Sequence, residues 1–423
     1  MQNIVTATFI LNILLSLILC FKDNYPYSVR KTTYLFIFSF MGLAPLYQYT
    51  NEIATTPGYA GMTDQSYFTV NLLTLVFMLI MEITYKRHRI CNQTKIFLKS
   101  HTMHITKFGY LSMLLISCWV FFIFLNRVEF DYVRIFLRQS NADLIVDDPF
   151  TNMYNNLLTP ILGVFTLYIL IFGNNNKVKI ITLSLLLFFV FPLRVARYMT
   201  AMIYMPVCFY FIHPILKKSK NLFQIFFVVI ICLIFPLMDM FRTADFSVLA
   251  SSFADFNYLS FDFLKSTQFD SYQSFVFVLE NEVITYGRQL SGVLFFWVPR
   301  FIWQNKPIGS GMFIADEFEL CDYGFNNLAL NFLGEGYINF GITGCLLFMV
   351  VYAIVSCRLD HRFWDLQKGK INDIFTAYYF CAIANVFFML RGSLLAAFPM
   401  LIGTSFAIYF TQKFLIKRKN NNA

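Results

Sequence analysis

The sequence predicts an all-α polytopic membrane protein, and three observations carry that reading. Of 423 residues, 58% are hydrophobic and only 13% are charged, against about 25% charged in an ordinary soluble chain. Phenylalanine alone fills 53 positions. The apolar residues also gather in runs long enough to cross a bilayer. One or two soluble cores could not bury so much apolar surface, which excludes a soluble enzyme, a disordered chain and a disulfide scaffold. Most of the nine cysteines fall inside apolar runs, such as Cys118, Cys232 and Cys381. Only Cys321 falls in a long exported loop, so no disulfide framework is expected.

A spanning helix needs about 20 mostly apolar residues. Eleven runs qualify: 4–21, 33–50, 67–84, 108–125, 157–173, 178–194, 198–216, 222–241, 337–357, 374–390 and 394–412. Met1-Gln2-Asn3 brings no positive charge and no small-residue cleavage site follows, so the first run reads as a retained helix. Orientation follows from Lys and Arg, which collect in cytoplasmic loops. With the C-terminal Lys413, Lys417, Arg418 and Lys419 inside, the N-terminus lies outside. The inner segments 22–32, 86–107, 174–179, 217–221, 358–373 and the tail then hold 22 of the 33 basic residues. This placement accounts for the net charge of +9 without nucleic acid.

A further run, 289–303, is short and contains Pro299 and Arg300. It is expected to be re-entrant or surface-lying. The chain reads as a single integral membrane domain, 1–423, with large outer loops 126–156 and 242–336. Within the larger loop, Tyr272–Leu279 and Leu290–Trp303 are expected to lie against the membrane or to cap a cavity.

The basic residues left outside are nine arginines and two lysines, whereas the inner set has six arginines and sixteen lysines. The outer arginines are Arg127, Arg134, Arg138, Arg194, Arg197, Arg242, Arg288, Arg300 and Arg391, and the lysines are Lys265 and Lys306. A guanidinium presents a planar fork that binds two phosphate oxygens at once, which an ammonium cannot do. Arg194 and Arg197 share a face at one turn, and Arg391 caps another. The set points to an anionic ligand at the outer interface. Snorkelling, or pairing with outer carboxylates, is the competing account of any single arginine.

His88, His101, His104, His213 and His361 all fall on or near the inner side, so an outward-facing reaction must use a carboxylate base or none. Candidates are Asp270, Glu280, Glu282, Asp316, Glu317, Glu319 and Glu335. Glu335 stands out because it lies in Gly334-Glu335-Gly336-Tyr337, between Asn331 and Asn339, where glycines permit close approach to a ligand. A helix-start glutamate favoured by the dipole is the equal alternative. No metal-ligand spacing and no phosphate-cradling or dinucleotide glycine motif is present.

At Trp297-Val298-Pro299-Arg300-Phe301-Ile302-Trp303-Gln304-Asn305-Lys306-Pro307-Ile308-Gly309-Ser310-Gly311 the chain resembles the oligosaccharide repeat unit polymerases, the O-antigen (Wzy-type) and exopolysaccharide polymerases. Asn331 to Gly341 and Leu390-Arg391-Gly392 agree with that family, as does the layout of many spans around one dominant outer loop. Arg300 and Gly311 fit an Arg-x10-Gly pattern described for its members; Arg194 and Arg197 do not. The resemblance implies a GT-C-like fold in the bacterial inner membrane, which makes loops 126–156 and 242–336 periplasmic. The implied reaction, at the periplasmic face, transfers a glycan from undecaprenyl pyrophosphate onto the sugar of another lipid-linked repeat unit.

In that reading Glu335, Arg300 and Arg288 are catalytic, and Arg194, Arg197, Arg391 and Lys306 hold the pyrophosphate. Asn331, Asn339, Tyr337 and Trp303 bind sugar. No cofactor or metal is expected. The partners are lipid-linked oligosaccharides, membrane lipid and, by the family resemblance, a chain-length regulator. An O-antigen ligase would use a histidine in the large outer loop, which has none. A lipid-linked oligosaccharide flippase would show repeat symmetry and short loops. A membrane acyltransferase would also need a catalytic histidine.

Overall fold

The computed structural model describes residues 1–91, 102–136, 154–195, 197–230, 261–321, 327–368 and 374–419. Arg138, Arg242, most of loop 126–156, the first part of loop 242–336 and the second half of the run 222–241 lie outside the described residues.

The chain opens with α1 (Gln2–Lys22). Next, α2 (Val29–Phe36), a π-helical stretch (Ile37–Leu43) and α3 (Ala44–Thr50) follow without interruption. Then come α4 (Asp64–Cys91), α5 (Lys107–Arg127) and the single turn α6 (Tyr132–Phe136). A second π-helical stretch, Tyr154–Leu158, leads into α7 (Thr159–Phe172), followed by α8 (Asn176–Phe189), α9 (Arg197–Leu216) and α10 (Leu222–Val229). The large loop contributes α11 (Ser271–Glu280), α12 (Arg288–Leu294) and α13 (Ser310–Glu317). The chain closes with α14 (Phe332–Lys368), α15 (Ile374–Arg391) and α16 (Leu394–Leu415).

Six of these helices, α1, α4, α5, α9, α14 and α16, are long and apolar enough to cross a bilayer. The expected runs 157–173 and 178–194 are helical but shorter, with 14 residues in each of α7 and α8. A small antiparallel ladder, β1 (Thr102–Ile105) with β2 (Ile416–Lys419), ties the basic tail to the segment before α5.

Polarity is arranged for lipid and not for water. Along α5, Leu111, Leu115, Trp119 and Phe122 form an exposed apolar stripe, while Gly109, Met113, Ser117 and Val120 face inward. Apolar stripes give no drive for helix association in lipid, so buried hydrogen bonds and small residues supply it. Between α1 and α4, Asn12 Nδ2 donates to Asn71 Oδ1 at 3.3 Å, and Asn71 Nδ2 donates to Thr8 Oγ1 at 3.0 Å. By contrast, α7 is buried within the protein on every face from Thr159 to Leu170.

Two segments depart from the sequence reading. Tyr272–Leu279 does not lie against the membrane: it belongs to α11, whose residues Ser271 to Val278 are all buried. Its polar side chains find partners on several sides. Tyr272 Oη donates to Asn71 Oδ1 at 3.0 Å, Gln273 Oε1 accepts from Thr55 N at 2.8 Å, and Ser274 Oγ lies 2.7 Å from Tyr59 Oη.

The run 337–357 is not one straight span. Helical geometry breaks at Phe340 and at Gly341, whose φ is 63°. That left-handed region favours glycine. The chain then doubles back, so that the Phe332 ring meets Phe348 at 5.2 Å and Tyr352 at 5.4 Å. Phe332 therefore lies about 10–17 Å along the helix from the reversal, at 1.5 Å per residue. The short arm 332–339 is a half-helix folded against the long arm. At 289–303 the helix α12 stops after seven residues, far short of a span, and turns carry the chain past Pro299.

Candidate functional site

The half-helix 332–339, α11, the start of α13 and the α15–α16 turn meet in one polar cluster. Asn331 links the first two: its Nδ2 donates to Ser271 O at 2.9 Å, and its Oδ1 accepts from Gly334 N at 2.8 Å, capping the half-helix. This puts Asp270 and Ser271 level with Phe332, recessed from the end of the bundle where the chain reverses at Gly341.

Asp270 is 1% exposed. Its Oδ2 accepts from Ala329 N at 2.9 Å, and its Oδ1 lies 3.9 Å from Arg391 Nη2. Arg391 is held in place by its Nε, which donates to Gln268 O at 2.9 Å. Burial pushes the Asp270 carboxyl up to about 6, with Arg391 and backbone N–H groups pulling against it. Three buried oxygens at this point have no hydrogen-bond partner: Gln268 Oε1, Asp270 Oδ1 and Ser271 Oγ. Each such group costs about 1–3 kcal/mol. A hydroxyl-bearing ligand would recover that cost.

Glu335 joins the same cluster but is fully committed. Its Oε2 accepts from Ser310 Oγ at 2.7 Å and its Oε1 from Leu394 N at 3.0 Å, so it pins α13 and the α15–α16 turn to the half-helix. The space beside its neighbouring glycines is filled by the chain itself. Leu330 and Phe275 lie against Gly334, and Gly344 and Cys345 lie against Gly336. Asn339 is likewise committed: its Nδ2 donates to Glu335 O at 2.8 Å and its Oδ1 accepts from Leu290 N at 2.7 Å. Tyr337 is buried, with its ring 6.3 Å from Phe275.

Of the expected anion ligands, the structure brings Arg391 to this cluster. Arg194 is buried elsewhere, with its guanidinium 3.7 Å from the Phe124 ring centroid and Nη2 donating to Phe189 O at 2.6 Å. Arg197 opens α9. Arg300 and Lys306 brace their own loop: Arg300 Nη1 donates to Lys306 O at 3.1 Å, and Lys306 Nζ donates to Phe296 O at 2.6 Å and Val298 O at 2.9 Å. Arg288 is exposed at the start of α12, and Trp303 is half-buried.

Sequence reasoning named Asp270 among seven carboxylates without singling it out. Its partner Arg391 is more than a hundred residues away in sequence, and nothing local marks the pair. Gln268 and Ser271 carried no signal at all, and Ser310 entered only as part of the stretch Trp297 to Gly311. No family model matches the chain, and neither does any curated protein or solved structure.

Proposed function

We propose that this chain is a membrane-embedded glycosyltransferase that polymerises lipid-pyrophosphate-linked oligosaccharides at the outer face. The observation that carries the reading is the recessed Asp270–Arg391 pair with its unsatisfied oxygens, set in a bundle whose outer surface suits lipid. A carboxylate with one unpartnered oxygen and a value near neutrality is suited to accept a proton from a sugar hydroxyl. The adjacent guanidinium is suited to the negative charge that develops on a departing pyrophosphate.

In this mechanism the acceptor hydroxyl oxygen attacks the anomeric carbon of the donor sugar. The bond from that carbon to the pyrophosphate oxygen breaks, and undecaprenyl pyrophosphate leaves with the electron pair. The hydroxyl proton passes to Asp270 Oδ1. Asp270 thus takes the base role that the sequence assigned to Glu335, because both oxygens of Glu335 already accept hydrogen bonds. Glu335 positions Ser310 and the turn that carries Arg391. Ser271 and Gln268 offer an oxygen each to sugar hydroxyls.

The test is Asp270→Asn in a deletion strain, read on lipopolysaccharide gels. Loss of the ladder with one repeat unit retained, at normal membrane levels of protein, is the expected result. A full ladder refutes the base assignment. Bare core with repeats accumulating on the lipid carrier would refute polymerisation itself in favour of ligation or flipping.

A further inference from the structure

The segment after α12 exposes a dense apolar surface that no other described part of the protein covers. Trp297 is 61% exposed, Phe301 77% and Ile302 68%, with Leu294 and Phe295 beside them. In a loop facing water such a patch would be a liability. Three further observations say what covers it. First, the loop is anchored to a spanning helix: the Phe296 ring packs edge-on against Phe398, one turn into α16, at 6.3 Å. Second, its backbone is prepared for a medium without water. Lys306 Nζ takes the carbonyls of Phe296 and Val298, and Arg300 takes that of Lys306. Unsatisfied carbonyls are not tolerated in hydrocarbon, whereas these are capped by side chains of the same loop. Third, from Val283 to Ala315 the sequence contains Arg288, Arg300 and Lys306 and no carboxylate. That charge balance suits a layer of lipid phosphates, and Trp is favoured at the same depth.

We infer that residues 294–302 form a re-entrant wedge seated in the bilayer beside α16, with Trp297, Phe301 and Ile302 in contact with phospholipid acyl chains and Arg288 in the headgroup layer. Lys306 acts as the internal cap that lets the loop backbone leave water. This inference rests on the helical membrane architecture and is independent of the reaction proposed above.

The test uses purified full-length protein in proteoliposomes of phosphatidylcholine, with and without bromine on the acyl chains. The chain has four tryptophans. Trp297→Leu is compared with wild type and with Trp119→Leu, which removes a tryptophan from the lipid-facing stripe of α5. Trp297→Leu should lower bromolipid quenching by a share similar to that lost in Trp119→Leu, and leave iodide quenching unchanged. Trp297 projects from the protein surface, so its replacement leaves the core intact. Unchanged bromolipid quenching in Trp297→Leu overturns the inference. A simultaneous fall in iodide quenching would place the loop in water, and no change in either would place it under other protein.

Discussion

Two buried polar clusters lie at different levels of the bundle, and they are built on opposite principles. At the start of α2, Asp360 is saturated. Its Oδ1 accepts from Val29 N at 2.8 Å and Tyr379 Oη at 2.5 Å, and its Oδ2 accepts from Arg30 N at 3.1 Å and Tyr85 Oη at 2.6 Å. It therefore fastens the start of α2 to α4, α14 and α15. Close by, Glu82 pairs with Arg30 and accepts from Tyr34 Oη. The recessed cluster around Asp270 has an unfilled oxygen on each of three neighbouring residues. A saturated buried carboxylate holds a fold together, while an unsaturated one beside a cation is a place where something else belongs.

The contrast is broken most sharply by a matched pair of substitutions. Asp270→Asn should reduce transfer by about 10²–10⁴-fold, the usual worth of a general base, with an unfolding midpoint in detergent no lower than that of the unaltered protein, because the amide carries no buried charge. Asp360→Asn should do the reverse. It turns an amide toward donors that have no other acceptor, at about 1–3 kcal/mol for each orphaned group. Folded yield and unfolding midpoint should fall, while turnover per folded molecule stays the same. If Asp360→Asn selectively abolishes turnover, the distinction between the clusters fails.

Arg391→Lys keeps charge but loses the Nε bond to Gln268 and the fork. A charge-assisted hydrogen bond is worth about 1.5–3 kcal/mol, so a turnover loss of about 10–100-fold at normal expression is expected. The acidic limb of activity sharpens the same point. A base must be deprotonated, so transfer should fall as pH drops through about 6, following Asp270. Stability has the opposite sign. The folded value lies above the 3.8 of a free carboxyl, so this group favours the fold at acid pH, and that contribution is lost as pH rises through about 6. Parallel pH profiles of turnover and unfolding midpoint check both signs.

Smaller effects are expected from Glu335→Gln. Its amide can still accept from Leu394 or Ser310 but not serve both equally, which should cost about 1 kcal/mol of stability and leave transfer well above the Asp270→Asn level. Equal losses in the two variants would return the base role to Glu335. Smallest of all in turnover is Arg194→Lys. Because this side chain stacks on Phe124 inside the protein, the change should cost about 0.5–2 kcal/mol in the unfolding midpoint and nothing in turnover.

Hydropathy was enough to locate most of the helices. The runs 4–21, 67–84, 108–125, 198–216 and 394–412 each fall within a long apolar helix, because the bilayer imposes a length that composition reveals. It was blind to the reversal at Gly341, since a chain that doubles back is as apolar as one that runs on. It was equally blind to α11, whose mixed composition reads as a loop until Asn71, Thr55 and Tyr59 are known to meet it. The site was legible in its residue types and not in its pairing. Arg over Lys picked out Arg391, which lies in the cluster beside Asp270, but the same signal also selected Arg194, whose partner is an aromatic ring that only the tertiary fold supplies.

The glycine contact inside α14 has a consequence for any systematic mutational scan. A Cβ at Gly336 would sit 2.9 Å from the carbonyl oxygen of Gly344, so the two arms touch backbone to backbone. Even alanine at this position would pry the arms apart and shift Glu335, Ser310 and the Arg391 turn together. A map of inactivating positions would therefore score these glycines as highly as Asp270, although neither reaches a substrate. Only a readout that separates folding from turnover would keep the apparent active centre from growing to include its own scaffold.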